Sequence, residues 1–384
     1  MNGEINLLVT IAIISIFISL FLSYFLIKVK TEQKLSNYLF SVFLVFTTID
    51  ISSILFNFFL DGRLSNIGMC RNLVIFLQLP TFYLYVLSVC YSDFKLKIKH
   101  ITHITPFLIA NLILFPRFYL VDLSSKITFL ENSKSMLEIQ FIHIFLHFQI
   151  AFYIVVVFLT LRKVKKIYLE NYAGTSIDFF NWLFELILAL SAFYFVAFVK
   201  NIFKFTDYPY ISEWLKIGLF VSELLLASWY LFKALNNPTL FRNIDSKLKL
   251  IKDIILEEKK ETEEIQAEIT IEFNAKIIKL KKYMVEEKPY LNPSLTIQDI
   301  SADIEIPTRE LSILINHTLG QHFFDFINTY RIQDAMIILK DSTKNKVTIL
   351  EILYEVGFNS KSSFNTAFKN HTGFTPTAYR NRIS

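Results

Sequence analysis

Cysteine, glycine and charged residues are all scarce in this sequence of 384 residues. Two cysteines exclude the disulfide network of a small secreted scaffold, and the eight glycines form neither a phosphate-binding loop nor a nucleophile elbow. Charged residues make up 19% of the chain, whereas hydrophobic residues make up 53%. This balance excludes a disordered chain and a fibrous repeat, and it argues against an ordinary soluble enzyme.

The sequence also lacks a catalytic constellation and a cysteine–histidine pattern with metal-ligand spacing. We therefore expect a protein that is not an enzyme, without catalytic residues, a cofactor or a bound metal. Cys70 and Cys90 fall on one predicted helix about 30 Å apart, which is too far for a disulfide.

Charge is divided unevenly between the two parts of the chain. Residues 1–235 hold 33 charged residues with a net charge of +5, and residues 236–384 hold 40 charged residues with no net charge. The basic pI of 8.9 therefore comes from the apolar part and by itself gives no indication of nucleic-acid binding.

Long apolar segments fill residues 1–235. A bilayer core of about 30 Å requires about 20 apolar residues in a helix, and seven segments meet this criterion. They are residues 5–27, 36–60, 67–91, 101–119, 137–161, 179–199 and 214–235. The sequence therefore predicts a seven-helix transmembrane bundle, in which the fourth segment is the weakest because Pro106 and Pro116 interrupt it.

Lysine and arginine residues in the loops predict the orientation of this bundle, because they accumulate on the cytoplasmic side. The first, third and fifth loops hold ten of these residues, and the second, fourth and sixth hold six. We therefore place the N-terminus outside and the C-terminus in the cytoplasm.

Polar and ionisable side chains at membrane depth are candidates for function, because they are costly there. The candidate ligand-sensing residues are Asp50, His143, His147, Glu185 and Glu223. His143 and His147 share a helix face, but two ligands are weak evidence for a metal site. The alternative is that these groups hydrogen-bond between helices and hold the bundle together.

A helical connector is predicted for residues 236–289. Residues 244–285 contain no proline or glycine, and Leu248, Ile251 and Ile255 fit the seam of a coiled coil. Six glutamates between residues 257 and 268 interrupt that seam. A weak parallel dimer helix and a solvated single helix both fit this pattern.

The third region, residues 290–384, contains the arrangement helix, turn, helix twice. The first unit is predicted from Thr296–Ile304 and Thr308–Leu319, with a turn at Pro307. The second is predicted from Thr348–Val356 and Lys361–Asn370, with a turn that begins at Gly357. Between them, a helix over residues 323–340 would span about 27 Å, close to the roughly 34 Å between successive major-groove faces of B-DNA.

Individual residues of this region carry a family resemblance. They are Leu295-Thr296-Ile297, Leu319-Gly320, Tyr330-Arg331-Ile332, Ala335, Ile352, Glu355-Val356-Gly357-Phe358, Ser362, Phe364, Phe368-Lys369, Thr372-Gly373, Thr375-Pro376 and Tyr379-Arg380. On these residues, about a quarter of the chain closely resembles the DNA-binding domain of the AraC/XylS family of bacterial transcription regulators. The sequence departs from the family at Ile313, Ile315 and Ser363, which affects the expected base contacts rather than the class.

The resemblance implies that the second helix of each unit reads DNA. The candidate DNA-binding residues are Arg309, Glu310, Ser312, Ile313 and Asn316 on the first reading helix, and Lys361, Ser362, Asn365, Thr366 and Lys369 on the second. The donor groups of arginine and asparagine match the base edges of guanine and adenine, respectively. For each of these positions, the alternative interpretation is a phosphate contact or a solvent-exposed side chain without a DNA contact. Residues 286–384 hold ten basic and eleven acidic residues, but residues 356–384 hold no acidic residue.

The sequence thus predicts an all-α, membrane-embedded, one-component transcription regulator in the bacterial inner membrane. Its expected partners are double-stranded promoter DNA, membrane lipid, RNA polymerase, a second copy of the chain and an unidentified small-molecule or membrane signal. The alternative is a membrane receptor or transporter-like protein whose C-terminal module mainly binds protein partners. A third interpretation makes the apolar helices a mere anchor.

Reporter fusions test the predicted orientation. A reporter fused after Ser384 or within residues 162–166 is expected to report the cytoplasm, and one within residues 124–135 the exterior, because lysine-rich loops stay inside. Paired alkaline phosphatase and green fluorescent protein fusions measure this. An external signal from the fusion within residues 162–166 would contradict the seven-span arrangement.

Overall fold

The computed structural model describes residues 7–29, 34–59, 65–133, 135–173, 177–204, 206, 208–236, 266–344 and 346–383. Among these residues the regular elements are all helices, so the predicted all-α fold class is confirmed. The chain divides into two compact units. The first combines Met1–Leu161 with Leu183–Asn243, and the second combines Arg162–Trp182 with Ile244–Ser384. The division into domains at residues 235 and 289 stays a prediction.

Ten α-helices are described between residues 7 and 236. They are α1 (Leu7–Lys28), α2 (Lys34–Ile51), α3 (Ser53–Phe59), α4 (Asn66–Asn72), α5 (Ile75–Cys90), α6 (Thr105–Leu114), α7 (Leu123–Glu131), α8 (Leu137–Asn171), α9 (Ile177–Lys204) and α10 (Pro209–Asn236). Both α8 and α9 have residues in each of the two units.

Six helical segments of the described chain are long and apolar enough to cross a membrane. They are Leu7–Lys28, Lys34–Phe59, Asn66–Cys90, Ile98–Tyr119, Leu137–Asn171 and Phe180–Lys204, which correspond to the first six predicted spans. The seventh predicted span lies in α10, a helix of 28 residues that is not among the six. The count of seven therefore stays approximate.

Apolar side chains cover the outside of these helices. Phe17, Phe148 and Leu188 are 68%, 73% and 72% exposed, which is unfavourable in water and typical of a surface that faces lipid. Small polar residues face inward instead. The Ser23 hydroxyl donates to the Ser41 carbonyl at 3.4 Å and the Ser41 hydroxyl to the Ser23 carbonyl at 3.1 Å, as expected where two helices pack closely in lipid.

Two glutamines inside the apolar helices form such packing contacts. The Gln78 side chain accepts a hydrogen bond from the Tyr194 hydroxyl at 3.1 Å, and the Gln149 side chain donates to the Phe76 carbonyl at 2.9 Å. For the two glutamines, hydrogen bonding between helices is thus the observed role.

The second unit contains seven further helices. They are α11 (Gln266–Glu286), α12 (Ile297–Asp303), α13 (Thr308–Ile313), α14 (Phe323–Lys340), α15 (Ile349–Glu355), α16 (Lys361–Thr372) and α17 (Pro376–Ile383), and a π-helical turn, Leu314–Thr318, continues α13. Helix α11 lies in the predicted connector. The predicted seam residues Leu248, Ile251 and Ile255 lie outside the described residues, so the expected pairing of the connector stays a prediction.

Helix α14 joins two hydrophobic cores. Phe323 and Ile327, in its first half, pack with α12 and α13, and Ala335 and Leu339, in its second half, pack with α15 and α16. Apolar residues at helical spacing predict the faces that meet these cores, and Tyr330 and Ile349 of this set are only half-buried. Others of the set are each at most 2% exposed: Ile297, Ile300, Ile304, Leu311, Leu314, Ile315, Ile352, Leu353, Phe364 and Phe368. The predicted helical periodicity is therefore confirmed.

Arg331, in the middle of α14, is fully buried. Its guanidinium donates to the backbone carbonyls of Tyr290 at 2.7 Å, Asn292 at 2.8 Å and Ala173 at 2.8 Å, and it lies 5.4 Å from the centre of the Phe358 ring. Burial lowers the pKa of Arg331 to about 10. The group therefore stays protonated at neutral pH and keeps all its donors.

Gly357 allows the turn between α15 and α16 to approach the residues that Arg331 holds. Its φ of +88° is in the left-handed region, and a Cβ there would lie 2.5 Å from the Tyr290 carbonyl oxygen and 2.8 Å from that of Leu291. Gly320, which ends the first reading helix, has a φ of +67° but open space around it. The two glycines therefore differ in crowding but share a left-handed backbone conformation that a residue with a Cβ adopts only with strain.

This difference predicts the effect of two matched substitutions. Gly320→Ala is expected to cost ~1 kcal/mol of stability, from backbone strain alone. Gly357→Ala adds a clash with rigid backbone atoms and is expected to cost at least ~3 kcal/mol. Hydrogen exchange of the α14–α16 amides in the full chain measures the free energy of opening. Equal losses for the two variants would contradict the close approach at Gly357.

Candidate nucleic-acid interface

The pairs α12–α13 and α15–α16 are built by the same local rules. Each first helix starts with a capping box: the Thr296 amide donates to the Asp299 carboxylate at 2.8 Å, and the Thr348 amide donates to that of Glu351 at 2.7 Å. These hydrogen bonds lower the pKa of the Glu351 carboxyl, so its capping charge is retained at neutral pH.

Each pair also turns at a residue with positive φ. This residue is Glu305 in the first pair, at +53°, and Gly357 in the second, at +88°. The Ser360 hydroxyl then accepts from the Ser363 amide at 3.4 Å and caps α16, as predicted. Gly373 ends α16 with a φ of +80°.

Only some of the candidate DNA-binding residues on the first reading helix are exposed to solvent. Arg309 is exposed, and Ile313 and Asn316 are half-buried. The Glu310 carboxylate lies 2.5 Å from the Lys276 ammonium of α11, which offsets its negative charge. Glu310 is thereby tied to α11.

Ser312 is a candidate DNA-binding residue, and such a role requires an exposed side chain, but its exposed fraction is only 4%. The Asn316 side-chain nitrogen lies 2.9 Å from the Ser312 carbonyl and 3.5 Å from its hydroxyl, so Asn316 covers Ser312. A base contact by Ser312 would require Asn316 to move.

The second reading helix is more open. Lys361, Ser362, Thr366 and Lys369 are exposed and Asn365 is half-buried. The two lysines, eight positions apart, lie on about the same face of α16, because eight residues make a little over two turns. This helix therefore carries exposed positive charge along its length.

The two pairs differ in charge. Residues 296–319 hold four acidic residues and one arginine, whereas residues 348–373 hold two glutamates and two lysines. From residue 356 to 384 there are four basic residues and no acidic one. Since DNA phosphates attract positive charge, the electrostatic part of any DNA affinity comes mainly from α16 and the residues after it.

A segment between α8 and α9 packs against the first pair. We call the described residues of Arg162–Trp182 the docking segment. Its Ala173 is fully buried in the core around α12 and α13, the Ala173 amide donates to the Leu295 carbonyl at 3.2 Å, and Tyr172 forms an isolated antiparallel bridge with Thr296. The Ala173 carbonyl is one of the acceptors of Arg331.

The docking segment reaches both reading helices. The Asn316 side-chain nitrogen is 3.5 Å from the Glu170 carbonyl. Lys165, Leu169 and Asn181 line a cavity of about 430 Å³ together with Thr366 and other residues of α14 and α16. Two candidate DNA-binding positions, Asn316 and Thr366, therefore face this segment. Sequence reasoning missed this contact, since residues 162–166 indicated only a cytoplasmic loop.

The predicted ligand-sensing residues separate into two groups. Asp50, His147 and Glu223 line one cavity of the first unit. His143 is half-buried and does not line that cavity, and Glu185 is exposed on α9. Within the described residues, no group of three or more His, Cys, Asp or Glu side chains is placed to hold a metal ion.

Comparison with known proteins assigns the second unit to a class. Residues 300–382 match the family model described as a helix-turn-helix domain. An HTH-type transcriptional regulator of Staphylococcus aureus strain COL is 33% identical over 91 residues, which are 24% of this chain and 12% of that protein. The HTH-type transcriptional regulator YdeC of Bacillus subtilis strain 168 is 28% identical over 86 residues, 22% of this chain and 28% of that protein.

These matches thus span 12% and 28% of the lengths of the two relatives. No solved structure gives a significant match. The match of residues 300–382 confirms the predicted helix-turn-helix domain of the AraC type at the C-terminus of this chain, which carries apolar helices before it.

Proposed function

We propose that this protein is a membrane-embedded, one-component transcription regulator that binds promoter DNA through α12–α13 and α15–α16. The observation that carries the proposal is the pair of similar helix–turn–helix arrangements at the two ends of α14, in a segment that matches a helix-turn-helix domain. The six apolar helices support an inner-membrane location with the C-terminal module in the cytoplasm.

The length of α14 suits this role. Its 18 residues extend about 27 Å, and successive major-groove faces on one side of B-DNA are roughly 34 Å apart. Because α14 contributes to the core of each pair, it holds both reading helices at a fixed separation. Such an arrangement supports binding to two adjacent grooves.

The charge distribution supports binding as a dimer. One copy offers few phosphate contacts, because the first pair is acidic and residues 356–384 supply only four basic residues. Two copies on one promoter would double those contacts, and affinity rises with each phosphate neutralised. RNA polymerase is the further partner that a transcription activator of this kind would require.

Two lysines test the role of α16. Lys361→Ala or Lys369→Ala is expected to weaken binding to a duplex selected from a random library, and to reduce the slope of log affinity against log salt by about one. Lys279→Ala, which removes an exposed lysine from α11, is the control and should change neither quantity. Fluorescence anisotropy of the full chain in nanodiscs, over a range of salt concentrations, provides the measurement.

Arg309 tests base reading by the first pair. Arg309→Ala is expected to relax the preference at one base position by about 1–3 kcal/mol, because arginine contacts guanine through two hydrogen bonds. Equal loss on all sequences would assign Arg309 to the DNA backbone. If the full chain selects no duplex at any salt concentration, the module would instead bind protein partners.

The docking segment supplies a means of regulation. It contacts Asn316 and borders a cavity with Thr366, which is itself exposed, so the docked segment restricts the approach of DNA mainly at Asn316. We therefore infer that the docked arrangement binds DNA weakly and that undocking increases the affinity. A signal that favours undocking would then act as an inducer of DNA binding.

A substitution at Ala173 tests this inference. Ala173→Arg places a second guanidinium in a fully buried site beside Arg331, so it is expected to release the segment and to raise the DNA affinity of the full chain about tenfold, or ~1.4 kcal/mol. Lys163→Ala, an exposed change in the same segment, is the matched control. Unchanged DNA affinity, with fast hydrogen exchange of the residue 173 amide showing that the segment is released, would refute the regulatory role.

A further inference from the structure

The first unit contains a cavity that none of the candidate DNA-binding residues lines. Its volume is about 310 Å³, at the lower end of the range found for small-molecule sites. Residues of α1, α2, α5, α8, α9 and α10 line it, so its walls come from helices that are distant in the sequence.

The side chains that line the cavity change from charged to aromatic along the helices. On α10, Lys216 is followed two turns later by Glu223 and two turns after that by Tyr230, each step about 10 Å. On α2, Asp50 lines the cavity at the end of the helix, and Phe40 lines it about 15 Å away. The cavity therefore has charged side chains toward one end and aromatic side chains toward the other.

Charges of both signs meet at the charged end. Asp50, Lys200 and Glu223 line the cavity, and Asp50 interacts electrostatically with both of the others. In the described part of the chain, none of the three side chains forms a hydrogen bond or an ion pair within 4 Å. Lys216, in contrast, pairs with Glu213 at 3.5 Å.

Unpaired charges in an apolar bundle are costly and persist where they serve a function. Two carboxylates match an ammonium group of a ligand, and the ammonium of Lys200 matches an anionic group. A purely anionic amphiphile would leave Glu223 without an opposite charge and add negative charge beside Asp50, which Lys200 and Arg71 only partly offset. A purely cationic one would add positive charge beside Lys200. The charge pattern therefore favours a ligand that carries both charges.

His147 and Asn201 border the same end of the cavity. The Asn201 side-chain amide and His147 Nε2 are 3.0 Å apart, so the two side chains are hydrogen-bonded. His147 thus adds a polar group to the wall of the cavity.

We propose that this cavity binds a small zwitterionic molecule with an apolar body. Its ammonium group binds between the Asp50 and Glu223 carboxylates, its anionic group binds Lys200, and its apolar body packs against Phe40, Phe43 and Tyr230. The inference rests on the proposed function, for which it names the chemical class of the signal. A free molecule and the headgroup of a zwitterionic lipid share this chemistry.

Isothermal titration calorimetry on the full chain in phosphatidylglycerol nanodiscs tests the proposal, since that lipid has no amine. The probes are phenylalanine and leucyl-phenylalanine, with the N-acetylated and C-amidated forms of each as controls. At least one unmodified probe is expected to bind, and blocking either end is expected to weaken binding at least tenfold. Equal binding of the blocked forms would overturn the proposal, and so would no binding of either unmodified probe.

Matched variants locate the binding site. Asp50→Asn and Glu223→Gln keep the shape of the side chains and are expected to reduce probe affinity at least tenfold each. Glu185→Gln, which changes an exposed acid outside the cavity, is expected to leave it unchanged. Full affinity of the Asp50→Asn, Glu223→Gln double variant, with circular dichroism unchanged, would overturn the assignment.

Nanodiscs with added phosphatidylethanolamine distinguish the two sources. Competition of this lipid with the probe would support the site chemistry and name the headgroup as its occupant, whereas unchanged probe affinity would support a free ligand. Probe binding is read without DNA, so its failure would leave the DNA-binding proposal standing. Loss of DNA binding alone would leave the cavity assignment standing.

Discussion

The buried guanidinium of Arg331 is the constraint on which the second unit depends. It satisfies three backbone carbonyls, of Ala173, Tyr290 and Asn292, that come from parts of the chain far apart in sequence. Without the guanidinium, each of these carbonyls would be a buried acceptor that lacks a donor. Conversely, loss of any one carbonyl would leave the buried charge of Arg331 with fewer hydrogen bonds. Because Arg331 lies in the middle of α14, between the two cores, these contacts tie the docking segment and both helix–turn–helix arrangements to one side chain.

Much of the second unit could be predicted from local sequence. The spacing of Ile297, Ile300 and Ile304 predicted their buried face, and Ser360 and Gly373 predicted the two ends of α16, because periodicity and capping depend on residues within one turn. The contact of Ala173 with Leu295 could not be predicted. It joins backbone atoms more than a hundred residues apart, and such hydrogen bonds leave no side-chain pattern. The burial of Ser312 was missed because it depends on where the Asn316 side chain lies.

The first unit shows a similar limit. Length and hydropathy predicted six helices that the structure contains, since each span is a property of one continuous segment. The role of a polar residue depends on which face of its helix carries it. Its depth along the predicted span does not distinguish a residue that packs between helices from one that lines a cavity. Gln149 forms a hydrogen bond between helices away from the cavity, Gln78 lines the cavity and also accepts a hydrogen bond from Tyr194, and Asp50 and Glu223 line the cavity. Glu185, equally deep by sequence, is exposed on the outside of α9. Only the packing of the helices distinguishes these cases.

Two helices connect the proposed ligand site to the docking segment. His147 lines the cavity from α8, whose last residues include Glu170 of the docking segment, and Lys200 lines it from α9, which also carries Asn181. If the ligand favours the undocked arrangement, DNA binding must favour the ligand by the same factor, because coupling between two binding sites is reciprocal. Under that condition the two proposals are linked by thermodynamics as well as by the course of the chain.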